Sequence, residues 1–448
     1  MTVANRKTHS MPQALTATVE SMSHDGRGIT HVDGKTVFLE GALTGEEVSF
    51  VLRKKRRRWD VAEDVHILHA AAGRITPRCA VASSCGGCSL QHMGAEDQIR
   101  LKQDALLEAL KRIGKVMPDE VLAPLRGDIW GYRRKARLGV RFVEKKGGVL
   151  VGFREKGGRF LTDTQQCEVL SPEVGQHLAE LRQLISGMDA ARDIAQIEVA
   201  AGDDATALVF RHLVPLGHAD LGRLLAFAKS SGLHIYLQAG GPATATPLWP
   251  ENSRLSYRLP AFDVELEFMP TDFIQVNADI NRQMVSRAVD YLELSRQDRV
   301  LDLFCGLGNF SLPIARRCGH VVAVEGDAEL VRRAHANAVK NGIDNASFHM
   351  ADLSRPLSDT PWFSRLAAEG IDKMLLDPPR TGAYEIIQQL RAFQFKRIVY
   401  ISCHPASLAR DADCLVNQQG YRLVKAGIMD MFPHTTHVEA MAVFESKK

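Results

Sequence analysis

The 448-residue chain has no run of about 18 uncharged apolar residues, the length a membrane-spanning helix needs. The residues MTVANRKTHS carry no apolar signal core, so a soluble, cytoplasmic protein with no membrane partner is expected. Aromatic residues are scarce at 6%, and cysteine is limited to eight. Without a secretory signal, those eight point to thiolate chemistry or metal binding, because a reducing cytosol keeps thiols from forming a disulfide frame. Charge of one sign is also lacking, with 56 Lys and Arg against 53 Asp and Glu. Residues 1–78 hold 12 basic against 9 acidic side chains, so the rest of the chain is balanced and local patches matter more than the total. Hydrophobic residues at 45% and charged residues at 24% exclude disorder throughout, and the length suggests about three domains. No internal repeat and no long low-complexity tract is present.

Short apolar runs at residues 16–22, 36–39, 47–52 and 60–68, with turns at Asp25-Gly26 and Asp33-Gly34, predict a small all-β barrel. Within it stand six consecutive cations, Arg53, Lys54, Lys55, Arg56, Arg57 and Arg58, followed by Trp59. Such a run is either a solvated loop or a hairpin tip that neutralises a nucleic-acid backbone. Residues 96–115 have the apolar spacing of an amphipathic helix. Residues 125–268 return to strand character, and 125–160 carry eleven Lys and Arg against three acids, a second positive face. Residues 240–247 read as a loop. From about 270, strands alternate with helices, the signature of a doubly wound parallel sheet.

In that last region Val300–Leu303 is an apolar strand that runs into the tight loop Phe304-Cys305-Gly306-Leu307-Gly308-Asn309. Glu325 ends the next strand, nineteen residues beyond Gly306, where a carboxylate suits a ribose diol. The loop lacks GxGxxG and the Gly-Lys-Ser/Thr of a phosphate loop, which disfavours a pyrophosphate ligand. With Asp302 and Asp377-Pro378-Pro379, the set is similar to the S-adenosyl-L-methionine site of Rossmann-like methyltransferases. Cys403 stands at the carboxyl end of a further buried strand, where a thiolate can add to C6 of a pyrimidine and make C5 a nucleophile. Cys305 is a positional rival but belongs to the glycine loop. The C5 proton must then leave, and Glu439 is the candidate base. His404, His434 and His437 read as loop residues, and Cys318 and Cys414 as buried hydrophobes.

Cys79, Cys85, Cys88 and Cys167 offer four soft ligands that fit zinc or an iron-sulfur cluster. Their spacing does not match that of a radical S-adenosylmethionine enzyme.

Together these motifs, with Phe273-Ile274-Gln275-Val276-Asn277, Asp377-Pro378-Pro379-Arg380, Ser402-Cys403-His404-Pro405 and His437-Val438-Glu439, resemble the RNA uracil-C5 methyltransferases, within them the bacterial 23S ribosomal RNA branch. The resemblance covers residues 14–446. It implies an N-terminal OB-like TRAM barrel that binds RNA (10–72), a β-rich iron-sulfur central domain (73–95 and 125–270), and a C-terminal α/β Rossmann-like class I methyltransferase domain (96–124 and 271–448). It implies cofactor contacts from Gln275, Phe304, Asn309, Glu325, Asp352 and Asp377, with Cys403 as nucleophile and Glu439 as the proton-handling acid. It further implies a [4Fe-4S] cluster on the four cysteines, and RNA contacts from the cation run, Arg133, Arg134 and Phe273. Helix 96–115 should pack on the catalytic domain, and the enzyme should be a monomer without an obligate protein partner. His404 stands where Asn is common, and the helical stretch 171–190 has no assigned place. A cytosine-C5 enzyme would place a cysteine where Arg380 stands, or use two. Adenine-N6 methylation would want an aromatic residue there. A transfer-RNA uracil-C5 methyltransferase and a non-catalytic RNA-binding assembly factor are the remaining alternatives.

Overall fold

The computed structural model describes residues 14–358 and 360–447, except the side chains of residues 53–55. Residues 10–13 of the expected barrel, and the side chains of Arg53, Lys54 and Lys55, lie outside the described part. The chain divides into two compact units. The first comprises residues up to Ser83, Cys88–Leu101 and His434–Thr436; the second comprises Ser84–Gly87, Lys102–Pro433 and residues from His437 onward.

The first unit is built on a six-stranded sheet of β1 (Leu15–Thr18), β2 (Ser21–Met22), β3 (Gly28–Val32), β4 (Lys35–Leu39), β5 (Glu47–Lys55) and β6 (Trp59–His69). The strand order is β1-β5-β6-β4-β3-β2, so the continuous segment 15–22 pairs with β5 at one end and β3 at the other. Val37, Leu39, Val48 and Phe50 fill its interior with no exposed surface, as the alternation of apolar and polar residues requires. The cation run forms the end of β5 and the turn into β6: Lys55 pairs with Asp60, and the Arg56 amide donates to the Trp59 carbonyl at 3.1 Å.

Helix α1 (Ala95–Ala109) begins in the first unit and ends in the second. In the second unit its buried Lys102 donates to Asp430 at 2.6 Å, and the chain continues into the short strand β7 (Glu120–Val121). A second sheet follows, from β8 (Lys135–Val143), β9 (Gly148–Gly152), β10 (Ile194–Ala201), β11 (Thr206–His212), β12 (His234–Gln238) and β13 (Ala245–Trp249), in the order β13-β12-β11-β10-β8-β9. Three helices accompany these strands: α2 (Pro172–Gly175), α3 (Leu178–Ser186) and α4 (His218–Ser231). The stretch 171–190 thus finds its place: Val174, Leu178, Leu181 and Ile185 of α2 and α3 are buried against β8 to β11. Residues 245–247, read as loop, belong to the edge strand β13, where Pro247 is tolerated because only one neighbour needs backbone donors.

The hairpin β14 (Leu255–Leu259) and β15 (Val264–Phe268) leads to helix α5 (Ala278–Tyr291). The third sheet uses β16 (Arg299–Leu303), β17 (His320–Glu325), β18 (Ala346–Met350), β19 (Lys373–Leu376), β20 (Arg397–Ser402), β21 (Tyr421–Met429) and β22 (Glu439–Ser446). With β7 at its edge, the order is β18-β17-β16-β19-β20-β22-β21-β7. Strands β16 to β20 are mutually parallel and β22 runs antiparallel to both neighbours. Helices α6 (Ser311–Ala315), α7 (Ala328–Lys340), α8 (Pro361–Glu369), α9 (Tyr384–Gln389) and α10 (Pro405–Asp413) connect them in the doubly wound, Rossmann-like manner.

Candidate active site

The carboxyl ends of the parallel strands β16 to β20 lie along one edge of the sheet, the edge where a parallel α/β sheet receives ligands. At the end of β16 the backbone turns through three left-handed residues, Phe304 (φ 65°), Gly306 (φ 56°) and Gly308 (φ 99°). The glycines adopt this readily, whereas at Phe304 the left-handed conformation is strained. Glu325 fixes the loop: one of its oxygens accepts from the Gly306 amide at 3.0 Å, the other from the Gly326 and Asp327 amides at 2.7 and 3.1 Å. Phe304, Glu325, Ala351, Asp352, Pro379 and Gly382 line a hollow of about 370 Å³. Asp352 is half exposed, its carboxylate also accepting from Ser354.

The structure brings Phe304, Glu325 and Asp352 to that hollow, while Gln275, Asn309 and Asp377 lie outside its lining. Asp377 sits at the same sheet edge, its amide donating to the Leu303 carbonyl at 3.4 Å. Asn309 is locked by Tyr257, whose hydroxyl donates to it at 2.9 Å, and by a reciprocal amide pair with Asn281 at 3.0 Å. Tyr257 and Asn281 are partners of Asn309 that sequence reasoning missed, because they come from β14 and α5, distant in the chain. Ser311 is another, its hydroxyl donating to Asp302.

Cys403 and Glu439 meet across β20 and β22. The register pairs Ser402 with Ala440, so the next position sets Cys403 opposite Glu439 with both side chains on one face. Cys403 is half-buried and Glu439 buried. Burial pushes the Cys403 thiol up to about 11, reinforced by the Glu439 and Asp377 carboxyls and opposed by the Arg380 guanidinium. Burial and Asp377 hold the Glu439 carboxyl well above the usual carboxylate range. Asp377 is pushed up to about 7 by burial, and so is Asp302, where the Ser311 hydroxyl opposes the rise and Asp377 and Glu325 add to it. The crevice is therefore rich in carboxyl groups, and the buried Asp302 Oδ1 has no hydrogen-bond partner among the described residues. Such a set suits a ligand that brings cationic charge and hydrogen-bond donors, as the ammonium and sulfonium of S-adenosyl-L-methionine do.

Arg380 donates through Nη2 to His437 Nδ1 at 3.0 Å. Burial and the Arg380, Arg133 and Lys102 cations hold His437 below its ordinary value, so its neutral ring accepts that bond. Read as loop residues, the three histidines do separate work. His404 caps α10, accepting from the Ser407 amide at 3.3 Å, and His434 is buried in the first unit, its carbonyl accepting from the Ser89 and Leu90 amides at 2.9 Å. Cys305 is buried, and its thiol is raised well above the ordinary value by burial and by Asp302 and Glu325, which disfavours it as a nucleophile.

The expected RNA contacts divide. Phe273 is 69% exposed, and Arg56, Arg57 and Arg58 are exposed, with the Arg56 guanidinium 5.4 Å from the Trp59 ring centre. Arg134 corrects the expectation. It is 5% exposed, lies 4.6 Å over the Tyr257 ring and donates to the Gln275 carbonyl at 2.9 Å, so it is a support of the Phe273–Asn277 segment and not a surface cation. Arg133 is half-buried beside His437.

No disulfide joins the eight cysteines. Cys79 and Cys88 lie in the first unit, Cys85 and Cys167 in the second. Among the described residues, no group of three or more His, Cys, Asp or Glu side chains is arranged to hold a metal ion. The donor chemistry of four thiols nonetheless fits a soft metal or cluster, and the Gly87 amide donates to the Cys85 sulfur at 3.4 Å.

The family model described as tRNA (Uracil-5-)-methyltransferase matches residues 230–448. The chain is 53% identical over 432 residues, 96% of both chains, to the 23S rRNA (uracil(1939)-C(5))-methyltransferase RlmD of Xanthomonas axonopodis pv. citri. It is 53% identical over 428 residues, 95% of both chains, to the protein of the same name from Alkalilimnicola ehrlichii. In fold it is similar to the Pyrococcus abyssi tRNA (uracil-54, C5)-methyltransferase solved with S-adenosyl-L-homocysteine, at a TM-score of 0.72 and 22% identity, covering 96% of this chain and all of that one. With the identity spread over nearly the whole chain, and the glycine loop, the Asp377 turn and Cys403 on one sheet edge, the chain belongs to the RlmD family of RNA (uracil-C5)-methyltransferases.

Proposed function

We propose that this enzyme methylates C5 of one uridine of 23S ribosomal RNA, the counterpart of the position 1939 for which its relatives are named. The observation that carries the reading is the facing pair of Cys403 and Glu439 at the end of the parallel sheet. Cys403 loses its proton to solvent, and the thiolate sulfur adds to C6 of the uracil, which moves the electron pair of the C5–C6 double bond onto C5. S-adenosyl-L-methionine would be held by Gln275, Phe304, Asn309, Glu325, Asp352 and Asp377, and would supply an electron-poor methyl group for that carbon, departing as S-adenosyl-L-homocysteine. Glu439 in its carboxylate form, made strongly basic by its buried setting, then takes the C5 proton, the double bond re-forms and the sulfur leaves C6 as the Cys403 thiolate. The Arg380 guanidinium favours the thiolate that both the first and last steps need. The target uridine must leave its stack to reach the crevice, which costs a few kcal/mol and favours a loop or other unpaired segment.

In this reading residues 10–72 are a TRAM-type RNA-binding barrel, 73–95 and 125–270 the central domain, and 96–124 and 271–448 the catalytic domain of a cytoplasmic monomer. The cation run, Arg133 and Phe273 meet RNA. Cys79, Cys85, Cys88 and Cys167 are the donors assigned to a [4Fe-4S] cluster, which supplies a cross-link between distant segments when bound. Anaerobic reconstitution with iron and sulfide, followed by metal and sulfide analysis of the wild type and of Cys85→Ser, tests that assignment. Zinc in place of iron would replace the cluster.

The reaction is tested by incubating the enzyme with labelled S-adenosyl-L-methionine and, separately, 23S, 16S and transfer RNA, then analysing nucleosides. Label in 5-methyluridine from 23S RNA alone is expected. Label from transfer RNA would keep the chemistry and change the substrate, and label in none would favour a binding factor.

A further inference from the structure

After β9 the chain makes a second hairpin outside the sheet. The Thr162 amide donates to the Phe153 carbonyl at 2.9 Å, the Glu155 amide to the Phe160 carbonyl at 2.9 Å, and the turn closes through Gly157 (φ 60°) with the Gly158 amide on the Glu155 carbonyl at 3.2 Å. Its outer edge is not left open. Ser84–Gly86 runs along it as a third strand: the Gly86 amide donates to the Arg154 carbonyl and the Lys156 amide to the Ser84 carbonyl, both at 2.8 Å, and Cys85 bridges Glu155. Gly86 has to be glycine, since a Cβ there would come within 2.9 Å of the Arg154 carbonyl oxygen. The cysteine-bearing segment is thus the scaffold on which this hairpin is built.

What the hairpin displays is a cationic and aromatic tip. Phe160 is 63% exposed, with the Arg159 guanidinium 5.6 Å from its ring centre, and Arg154 is exposed on the opposite arm, where it bridges Leu161. Lys156 stands in the turn, and Glu155 is the only acid between residues 153 and 161. An exposed ring beside cations offers a face for a base and charges for the adjoining phosphates, which is how single-stranded nucleic acid is held. A protein partner would want a broader apolar surface than one ring.

We infer that the hairpin of residues 153–162 is an RNA-gripping element, with Phe160 stacking on an unpaired base, Arg154 and Arg159 on phosphates, and the Ser84–Gly86 segment setting its shape. This rests on the reading of the substrate as 23S RNA and adds a contact outside the crevice. It also gives the cysteine segment a second role, because any change that displaces Cys85 moves the hairpin.

The test compares holoenzyme variants for binding to a 23S fragment that carries the target uridine, across a salt series, with S-adenosyl-L-homocysteine affinity measured alongside. Phe160→Ala is expected to weaken RNA binding about tenfold, the size of one lost stacked base. Arg159→Ala should weaken it less and reduce the salt slope by about 1. Gly86→Ala removes no RNA-facing group, so a loss of RNA affinity together with faster amide exchange over residues 153–162 identifies the scaffold role. Unchanged RNA affinity in Phe160→Ala and Arg159→Ala overturns the inference, provided the wild type methylates the fragment. A wild type that neither binds nor methylates it overturns the substrate reading instead.

Discussion

The carboxyl edge of the third sheet and the hairpin tips of the chain handle charge in opposite ways. At the sheet edge, Asp302, Asp377 and Glu439 are crowded together away from water, and their carboxyls rise accordingly. At the β5–β6 turn and the 153–162 hairpin, cations stand in solvent beside single exposed rings. The first arrangement costs folding free energy and makes groups reactive; the second costs little and gains affinity by counterion release. Chemistry and grip should therefore be separable by mutation.

The sharpest separation is at Cys403. Cys403→Ala is expected to lower turnover by about 10⁴-fold or more, as losing a nucleophile does, while S-adenosyl-L-homocysteine and RNA binding stay near wild type. Wild-type-like turnover in single-turnover assays would end its role. Glu439→Gln should slow release by a factor of about 10² to 10⁴, the typical worth of a general base, so that a covalent RNA adduct survives denaturing gels. An absent adduct with normal turnover would clear Glu439 of that duty. On the grip side, a combined Arg56→Ala, Arg57→Ala, Arg58→Ala variant should bind RNA about tenfold or more weakly and lower the salt slope by roughly 2 to 3, with single-turnover rates at saturating RNA preserved. Equal loss of rate and affinity would blur the comparison.

Two smaller effects probe the charge balance. Because the Cys403 thiol is held up to about 11, kcat/KM should climb as pH rises from neutrality, and Arg380→Gln, which removes the opposing cation, should lower the neutral-pH rate by about tenfold and move the climb to higher pH. A parallel profile with a lower plateau would assign Arg380 to binding alone. Asp302 has a folded value of about 7 against about 4 in an unfolded chain, so its contribution to stability falls as pH rises between those values. Asp302→Asn should flatten that fall by a few degrees in melting midpoint between pH 5 and 8, read by calorimetry, while weakening cofactor binding.

Much of the catalytic sheet was legible because its strands are short apolar runs that end in chemistry: Val300–Leu303 before the glycine loop, Lys373–Leu376 before Asp377. Strand β18, Ala346–Met350, escaped notice because it is a short, half-buried edge strand in which Ala346, Phe348 and Met350 alternate with Ser347 and His349, unlike the continuous apolar runs of its buried neighbours. The closing strands β21 and β22, and helices α4 and α5, were likewise not separated from their surroundings. In the site, Cys403 and Glu439 were legible from chemistry, yet their facing register is a property of the ladder. The clasp of Asn309 by Tyr257 and Asn281 joins residues 52 and 28 positions apart, beyond any local pattern. Arg134 misled because a run of Arg and Lys looks basic from outside, whereas this side chain, just before β8, is buried over Tyr257 and bonded to the Gln275 carbonyl, partners more than 120 positions away.

The β20–β22 ladder has a kinetic meaning. Two groups that must act on adjacent carbons of one small ring are set side by side by the same backbone bonds that hold the sheet, at a spacing of roughly 5 Å between paired strands. The entropy of assembling them is spent once, during folding, and none of it recurs at each turnover. What must still be supplied at each turnover is the withdrawal of the target uridine from its stack.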